Sequence, residues 1–162
     1  MSYEEILDYL FEKLPIYQRK GSAAYKASIG NIVYATKFLD NPHLKFKSIH
    51  VAGTNGKGST VHMIASIMQE AGYKVGMYTS PHLKDFRERI KINGQMISKN
   101  YVTNFVLENM KMLEKLDLSF FEMTVSMAFD YFAKKKIDIA IIETGLGGRL
   151  DSTNIITPEL SI

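Results

Sequence analysis

Cysteine is absent from all 162 residues, which excludes a disulfide scaffold, a thiol nucleophile and any cysteine-ligated metal or cluster. No apolar run approaches the roughly 18 residues that a membrane-spanning helix needs. Charge of one sign is missing too: 20 Lys+Arg stand against 17 Asp+Glu, and a formal +3 is too small to argue for a nucleic-acid partner. The first residues, MSYEEILDYLFEKL, are acidic and amphipathic, unlike the cationic start of a signal peptide. These absences leave a soluble cytoplasmic protein as the expectation, with neither nucleic acid nor membrane as partner. What is present is globular: 46% hydrophobic and 11% aromatic residues, in a chain long enough to bury about two-thirds of its unfolded surface.

Hydrophobic spacing and turn residues divide the chain. Ser2 and Glu5 form a capping box ahead of Ile6, Leu7, Leu10, Phe11 and Leu14, a helix that Pro15 ends. Residues 15–25, carrying Arg19, Lys20 and Gly21, read as a polar loop. A second helix is expected over 29–39, stopped by Asp40-Asn41-Pro42. SIHVA (48–52) reads as a short buried strand that runs into the glycine-rich turn GTNGKGST and then a helix. Ile64, Ala65, Ile67, Met68 and Ala71 mark the buried face of that helix, and Gly72 caps it. KVGMYT (74–79) is the next strand, so 48–79 forms one βαβ unit with a right-handed crossover expected.

SPHLKDFRER reads as a long exposed loop in which Arg87, Glu88 and Arg89 form a solvated charge run. Residues 89–98 alternate around Asn93-Gly94 as a hairpin does. Helices follow over 99–116 and 120–136, with Phe121, Phe129 and Phe132 as an aromatic core stripe. IDIAIIE (137–143) has the near-continuous apolar character of a parallel strand covered on both faces. A second glycine-rich loop, GLGGRLDSTN, comes next, and PELSI begins what reads as a new, unpaired strand. The expectation is therefore an α/β fold, a mostly parallel sheet flanked by helices, and a chain that is a fragment of a larger domain.

Two features carry chemistry. Gly53, Thr54, Asn55, Gly56, Lys57, Gly58, Ser59 and Thr60 lie between a strand and a helix, where successive backbone N–H groups and the helix dipole favour phosphate. Lys57 is placed to reach the outer phosphates, and Ser59 or Thr60 to bond the phosphates or a metal. The strict pattern G-x-x-x-x-G-K-[ST] fails, because Val51 occupies its first position and Gly58 follows the lysine. Glu143 ends an apolar strand, two strands from that loop. There a carboxylate either holds Mg²⁺ beside a nucleotide or sits exposed and caps a turn. The histidines His43, His50, His62 and His82 show no metal spacing, and Glu122 serves as a helix-start acid.

GTNGKGST, YTSPHL with a downstream ERI, FEMTVSMA and IIETGLGGRLDSTN occur in this order. Together they resemble folylpolyglutamate synthase/dihydrofolate synthase, the folate branch of the Mur ligase family. The wider family's phosphate loop departs from the strict pattern in the same way. The resemblance implies a P-loop-containing, incomplete Mur-ligase central domain, with 1–162 the N-terminal part of the ATP-binding domain. A remainder of that domain and a C-terminal glutamate-ligase domain would lie outside it.

The resemblance also implies a reaction in folate metabolism. ATP phosphorylates a carboxylate of folate or dihydropteroate, and the amino group of L-glutamate displaces phosphate from the acyl phosphate. ATP and Mg²⁺ are the implied cofactors, folate or dihydropteroate and L-glutamate the substrates, and family members are implied to be monomers. Carried over by motif, 53–60 cradle ATP with Lys57 as the catalytic lysine. Ser80 and Glu143 would ligate metal, a role that the residues alone had left to the loop serine. Pro81, His82, Leu83, Ser119, Phe120, Phe121, Glu122, Leu150, Asp151 and Ser152 would line the pterin side. Further metal-organising groups of the family, a histidine and a carbamylated lysine, would lie beyond Ile162, so ligation by this chain alone is not expected. A cell-wall-precursor ligase, or a P-loop module without ligase chemistry, stands as the alternative.

Overall fold

The computed structural model describes residues 1–14 and 28–162, so the expected loop with Arg19, Lys20 and Gly21 lies outside the described residues. Helix α1 (Tyr3–Lys13) begins at the expected capping box, with Ser2 Oγ accepting from the Glu5 N–H and the Glu5 carboxylate accepting from the Ser2 N–H. Helix α2 (Gly30–Phe38) ends ahead of Asp40 and Asn41, which both adopt positive φ. Strand β1 (Lys47–Val51) leads through the glycine turn into α3 (Lys57–Glu70), and β2 (Val75–Tyr78) follows. The hairpin strands β3 (Ile90–Ile92) and β4 (Gln95–Met96) are joined by Asn93 and Gly94 at φ 46° and 74°, the doubly left-handed turn that Asn-Gly favours. Helices α4 (Lys99–Lys115) and α5 (Phe120–Lys134), then β5 (Ile139–Glu143) and β6 (Leu160–Ser161), complete the chain.

The six strands form one sheet in the order β4-β3-β2-β5-β1-β6. The pairs β1/β5, β2/β5 and β1/β6 are parallel, whereas the hairpin adds the antiparallel pairs β2/β3 and β3/β4. Two expectations change here. β1 and β2 are not neighbours, because the fully buried β5 slots between them, and Glu143 is therefore one strand from the phosphate loop rather than two. The PELSI segment is not unpaired: Leu160 and Ser161 pair with Ile49 and His50 along the outer edge of β1.

Alternation along the strands builds two cores. Ile139 and Ile141 pack with Ile49, Val51, Val75 and Met77 beneath α3, through Val61, Ala65 and the half-buried Ile64 and Met68. Ala140, Ile142 and Tyr78 face the opposite layer, where α1, α2, α4 and α5 pack around Leu113, Met123, Phe129 and Phe132. Gly76 allows the close approach of that second layer, since a Cβ there would stand 2.5 Å from Ile137 Cδ1 and 3.0 Å from the Phe132 ring. The expected buried face of α3 needs correction. Ile67 is 67% exposed and Ala71 is also exposed. At about 100° per residue, Ile67 lies about 110° from the centre of the stripe that Val61, Ile64, Ala65 and Met68 define, and Ala71 is the C-cap beyond the last helical residue.

Candidate functional site

Parallel strands present their carboxyl ends on one edge of a sheet, and three loops meet there. The first is the glycine turn after β1. Gly53 and Gly56 have φ of 144° and 80°, backbone that only glycine adopts without strain, and Gly56 is the N-cap of α3. Thr54, Asn55 and Ser59 are exposed, Thr60 is half-buried, and its N–H closes the first helical turn onto Gly56 O at 2.9 Å. Lys57 Nζ donates to Gly53 O at 2.7 Å, so the lysine lies back over the turn that it belongs to.

Glu143 ends β5 directly opposite Val51 in the β1/β5 register. It is 5% exposed, which excludes the exposed turn-capping reading. Burial raises the affinity of its carboxyl for a proton, against the lowering effects of the Ser80 N–H bond and the charges of Lys57, His62 and Arg89. Glu143 Oε2 accepts the Ser80 N–H at 2.9 Å, joining the ends of β5 and β2. A Cβ on Gly58 would stand 3.9 Å from both Glu143 carboxylate oxygens, so the first turn of α3 faces this carboxylate. A strict P-loop has a hydroxyl residue where Gly58 stands, and here Ser80 brings a hydroxyl residue to the same carboxylate from β2.

This donor set fits Mg²⁺. Among the described residues no three His, Cys, Asp or Glu side chains gather to hold a metal by themselves. One buried carboxylate and one neighbouring serine beside a phosphate-binding turn are what a cation that keeps phosphate oxygens and water in its shell requires.

The second loop, 80–89, is ordered from within rather than solvated as expected. The Glu88 carboxylate accepts from the N–H groups of Leu83, Lys84 and Asp85 at 2.8, 3.0 and 2.8 Å. Asp85 binds Arg87 at 2.6 Å, which holds the Asp85 carboxyl below its usual range. Arg89 is 5% exposed, its Nε donates to His82 Nδ1 at 2.8 Å, and its guanidinium lies 5.2 Å from the centre of the Phe120 ring. Only the flanking sequence hinted at this: Arg89 directly precedes the buried Ile90, at the point where the hairpin alternation begins. Pro81 follows a cis peptide and is exposed with Leu83, whereas His82 is half-buried against Phe11 and Phe86.

The third group of candidates divides. Ser119 and Glu122 are buried and bond one another as a capping box, with Ser119 Oγ and N–H both donating to Glu122 Oε2 at 2.8 Å. Phe120 is buried between Phe11 and Phe86. Phe121 is half-buried, packs edge-on against Tyr78, and lies so close to Gly145 that a Cβ there would stand 2.5 Å from Phe121 Cζ. In the second glycine loop Leu150 and Ser152 are half-buried and Asp151 is buried. The structure thus brings 53–60, Ser80 and Glu143 to one point and sets Phe121, Gly145 and Asp151 together beside β5. It turns Ser119, Phe120 and Glu122 inward.

No protein-family model matches the chain. The dihydrofolate synthase/folylpolyglutamate synthase of Bacillus subtilis (strain 168) is 45% identical over 144 residues, covering 85% of this chain and 34% of that protein. The folylpolyglutamate synthase of Lacticaseibacillus casei is 35% identical over 169 residues, 100% of this chain and 38% of that protein. Among solved structures, the folylpolyglutamate synthase of Thermotoga maritima superposes with a TM-score of 0.86 at 44% identity, over 96% of this chain and 36% of that one. The chain belongs to the folylpolyglutamate synthase/dihydrofolate synthase family. It spans about a third of the length of these relatives. An FPGS–AMPPCP–folate complex of the same family superposes with a TM-score of 0.89 at 35% identity, across 99% of this chain and 39% of that one. The mostly parallel sheet flanked by helices is the family's fold. Among the described residues no helix is long and apolar enough to cross a membrane.

Proposed function

We propose that this chain forms the nucleotide-binding and part of the pterin-binding side of an enzyme that ligates L-glutamate to folate or dihydropteroate at the expense of ATP. The observation that carries this reading is the convergence of the α3 N-terminus, Glu143 and Ser80 at one carboxyl edge, in a chain 45% identical to a dihydrofolate synthase/folylpolyglutamate synthase. Residues 1–162 are assigned to the N-terminal part of the ATP-binding domain, with the glutamate-ligase domain outside them.

In this reading the N–H groups of 53–60 receive the phosphate oxygens, and Lys57 leaves Gly53 O to neutralise charge on the transferred phosphoryl group. Glu143 and Ser80 would hold Mg²⁺, which would supply positive charge to neutralise the phosphates. The carboxylate of folate or dihydropteroate attacks the γ-phosphorus, giving an acyl phosphate and ADP. The glutamate amine then attacks the acyl carbon, phosphate leaves, and the amine loses its proton as the amide forms. Positioning and charge neutralisation supply the acceleration. Phe121 offers a half-buried aromatic face beside Gly145 for a pterin ring, with Pro81, His82 and Leu83 assigned to the same side from the loop after β2 and Leu150 and Ser152 from the glycine loop.

Calorimetric titration of the chain with AMPPCP and Mg²⁺, repeated on Lys57→Ala, tests the nucleotide side. Binding by the parent and its loss in the variant are expected. A second titration with pteroate separates the ligase reading from a nucleotide module, which would bind AMPPCP and ignore pteroate. The purified chain alone is expected to form no amide product from ATP, pteroate and glutamate.

A further inference from the structure

Asp151 is buried, and its carboxylate is fully engaged inside the protein. Oδ2 accepts the N–H groups of Gly145 and Leu146, both at 2.8 Å. Oδ1 accepts the Thr153 N–H at 2.9 Å and the Thr153 hydroxyl at 2.5 Å. Since the Thr153 hydroxyl spends its proton on Asp151, its oxygen must accept at the 2.8 Å contact with His50 Nε2. That contact fixes the proton of His50 on Nε2. His50, Thr153 and Asp151 are 7, 0 and 4% exposed, so this chain of bonds is buried.

The relay links two loops of the site. His50 stands on β1, three residues before Gly53, and pairs with Ile142 on β5. At the other end, Gly145 is held between Asp151 and Phe121: a Cβ on it would stand 3.1 Å from Asp151 Oδ2 and 2.5 Å from Phe121 Cζ. Moving Asp151 would therefore move the glycine loop and the surface on which the half-buried Phe121 ring rests.

We propose that His50 and Thr153 are positioning residues, a buried relay that holds the Asp151 carboxylate, anchors the second glycine loop to β1 and thereby fixes Gly145 and Phe121 for an aromatic acid substrate. The identity of the substrate as a pteroate-like acid rests on the function proposed above, whereas the relay itself does not.

Hydrogen–deuterium exchange on the chain and on Thr153→Val tests it, with Thr153→Ser as the conservative rescue. Loss of the hydroxyl is expected to speed exchange of the Gly145 and Leu146 amides about tenfold while the Ile141 amide, inside β5, changes by less than about twofold. Pteroate affinity should fall about tenfold with Mg-AMPPCP affinity held within about twofold, and Thr153→Ser should restore both readouts. If Thr153→Val does not fold, His50→Leu removes the donor at the other end and is read on the same amides. Unchanged exchange at Gly145 and Leu146 in a folded variant overturns the relay, and so does an equal loss of pteroate and nucleotide binding. If the parent binds AMPPCP but no pteroate, the proposed substrate class fails, and the exchange rates still decide the relay.

Discussion

Glu143 Oε2 accepts the backbone N–H of Ser80 at 2.9 Å, and this one bond ties the carboxyl ends of β5 and β2 together at the mouth of the phosphate loop. The carboxylate thus has a structural task toward Ser80 and, in the proposed function, an electrostatic one toward a cation. Glu143→Gln separates them, because the amide oxygen still accepts from Ser80 while the charge is gone. The expected outcome is a fold unchanged by circular dichroism and a Mg²⁺-dependent gain in AMPPCP affinity reduced by about tenfold or more. Titrations with and without Mg²⁺ check this. An undiminished gain would remove Glu143 from the metal site.

Gly76 and Gly56 are required for different reasons, and alanine distinguishes them. At Gly76 the obstacle is packing: the new methyl meets Ile137 at 2.5 Å and the buried Phe132 ring at 3.0 Å. Gly76→Ala is expected to cost about 1–3 kcal/mol in a denaturant melt. Nothing lies within 4 Å of a Cβ on Gly56, but its φ is 80°, so Gly56→Ala pays only for left-handed backbone, about 1–2 kcal/mol. Its effect should also appear in nucleotide affinity, whereas Gly76→Ala should leave affinity per folded molecule unchanged.

Patterning carried most of the fold. The capping box at Ser2, the Asn93-Gly94 hairpin and the apolar run of β5 are local signals, and each element stands where its signal falls. Strand order is not local, which is why β5 between β1 and β2 was not legible, nor was the pairing of Leu160 with Ile49. The glycine turn ahead of α3 announced itself through glycine spacing. The burial of Arg89, the threefold use of Glu88 and the bond from His50 to Thr153 depend on tertiary neighbours that a charge run or a lone histidine does not reveal.

Stability should decline on mild acidification. Burial lowers the proton affinity of His43 and His50 below that of free imidazole, and the charge of Asp151 only partly offsets this at His50. His43 Nδ1 is buried without a hydrogen-bond partner, so a proton there would lack an acceptor. The unfolded chain takes up protons on these histidines near pH 6.5, before the folded chain does. Their contribution is therefore whole above that pH and is lost as pH falls toward the folded-state values. The slope is at most about 1.4 kcal/mol per pH unit for each histidine. Asp85, Asp40, Glu4 and Glu88, all with lowered proton affinity, extend the decline at lower pH. Melting temperatures between pH 8 and pH 5 check this; a rise on acidification would contradict it.

Arg89 is the residue whose reading changed most, from solvated charge to a buried guanidinium that spans His82 and Phe120. Its planar group does two things at once: Nε donates to a ring nitrogen, and the delocalised cation lies toward an aromatic ring. Lysine keeps the charge but has no Nε in that position and no plane to lay against Phe120. Arg89→Lys is therefore expected to lose the His82 bond and part of the packing, at a cost of about 1.5–3 kcal/mol in a urea melt. Because His82 sits two residues after Ser80, the loop carrying Ser80 should loosen as well, with faster amide exchange at Leu83 and Lys84. A variant as stable as the parent, with those amides unchanged, would show that the charge alone organises the loop.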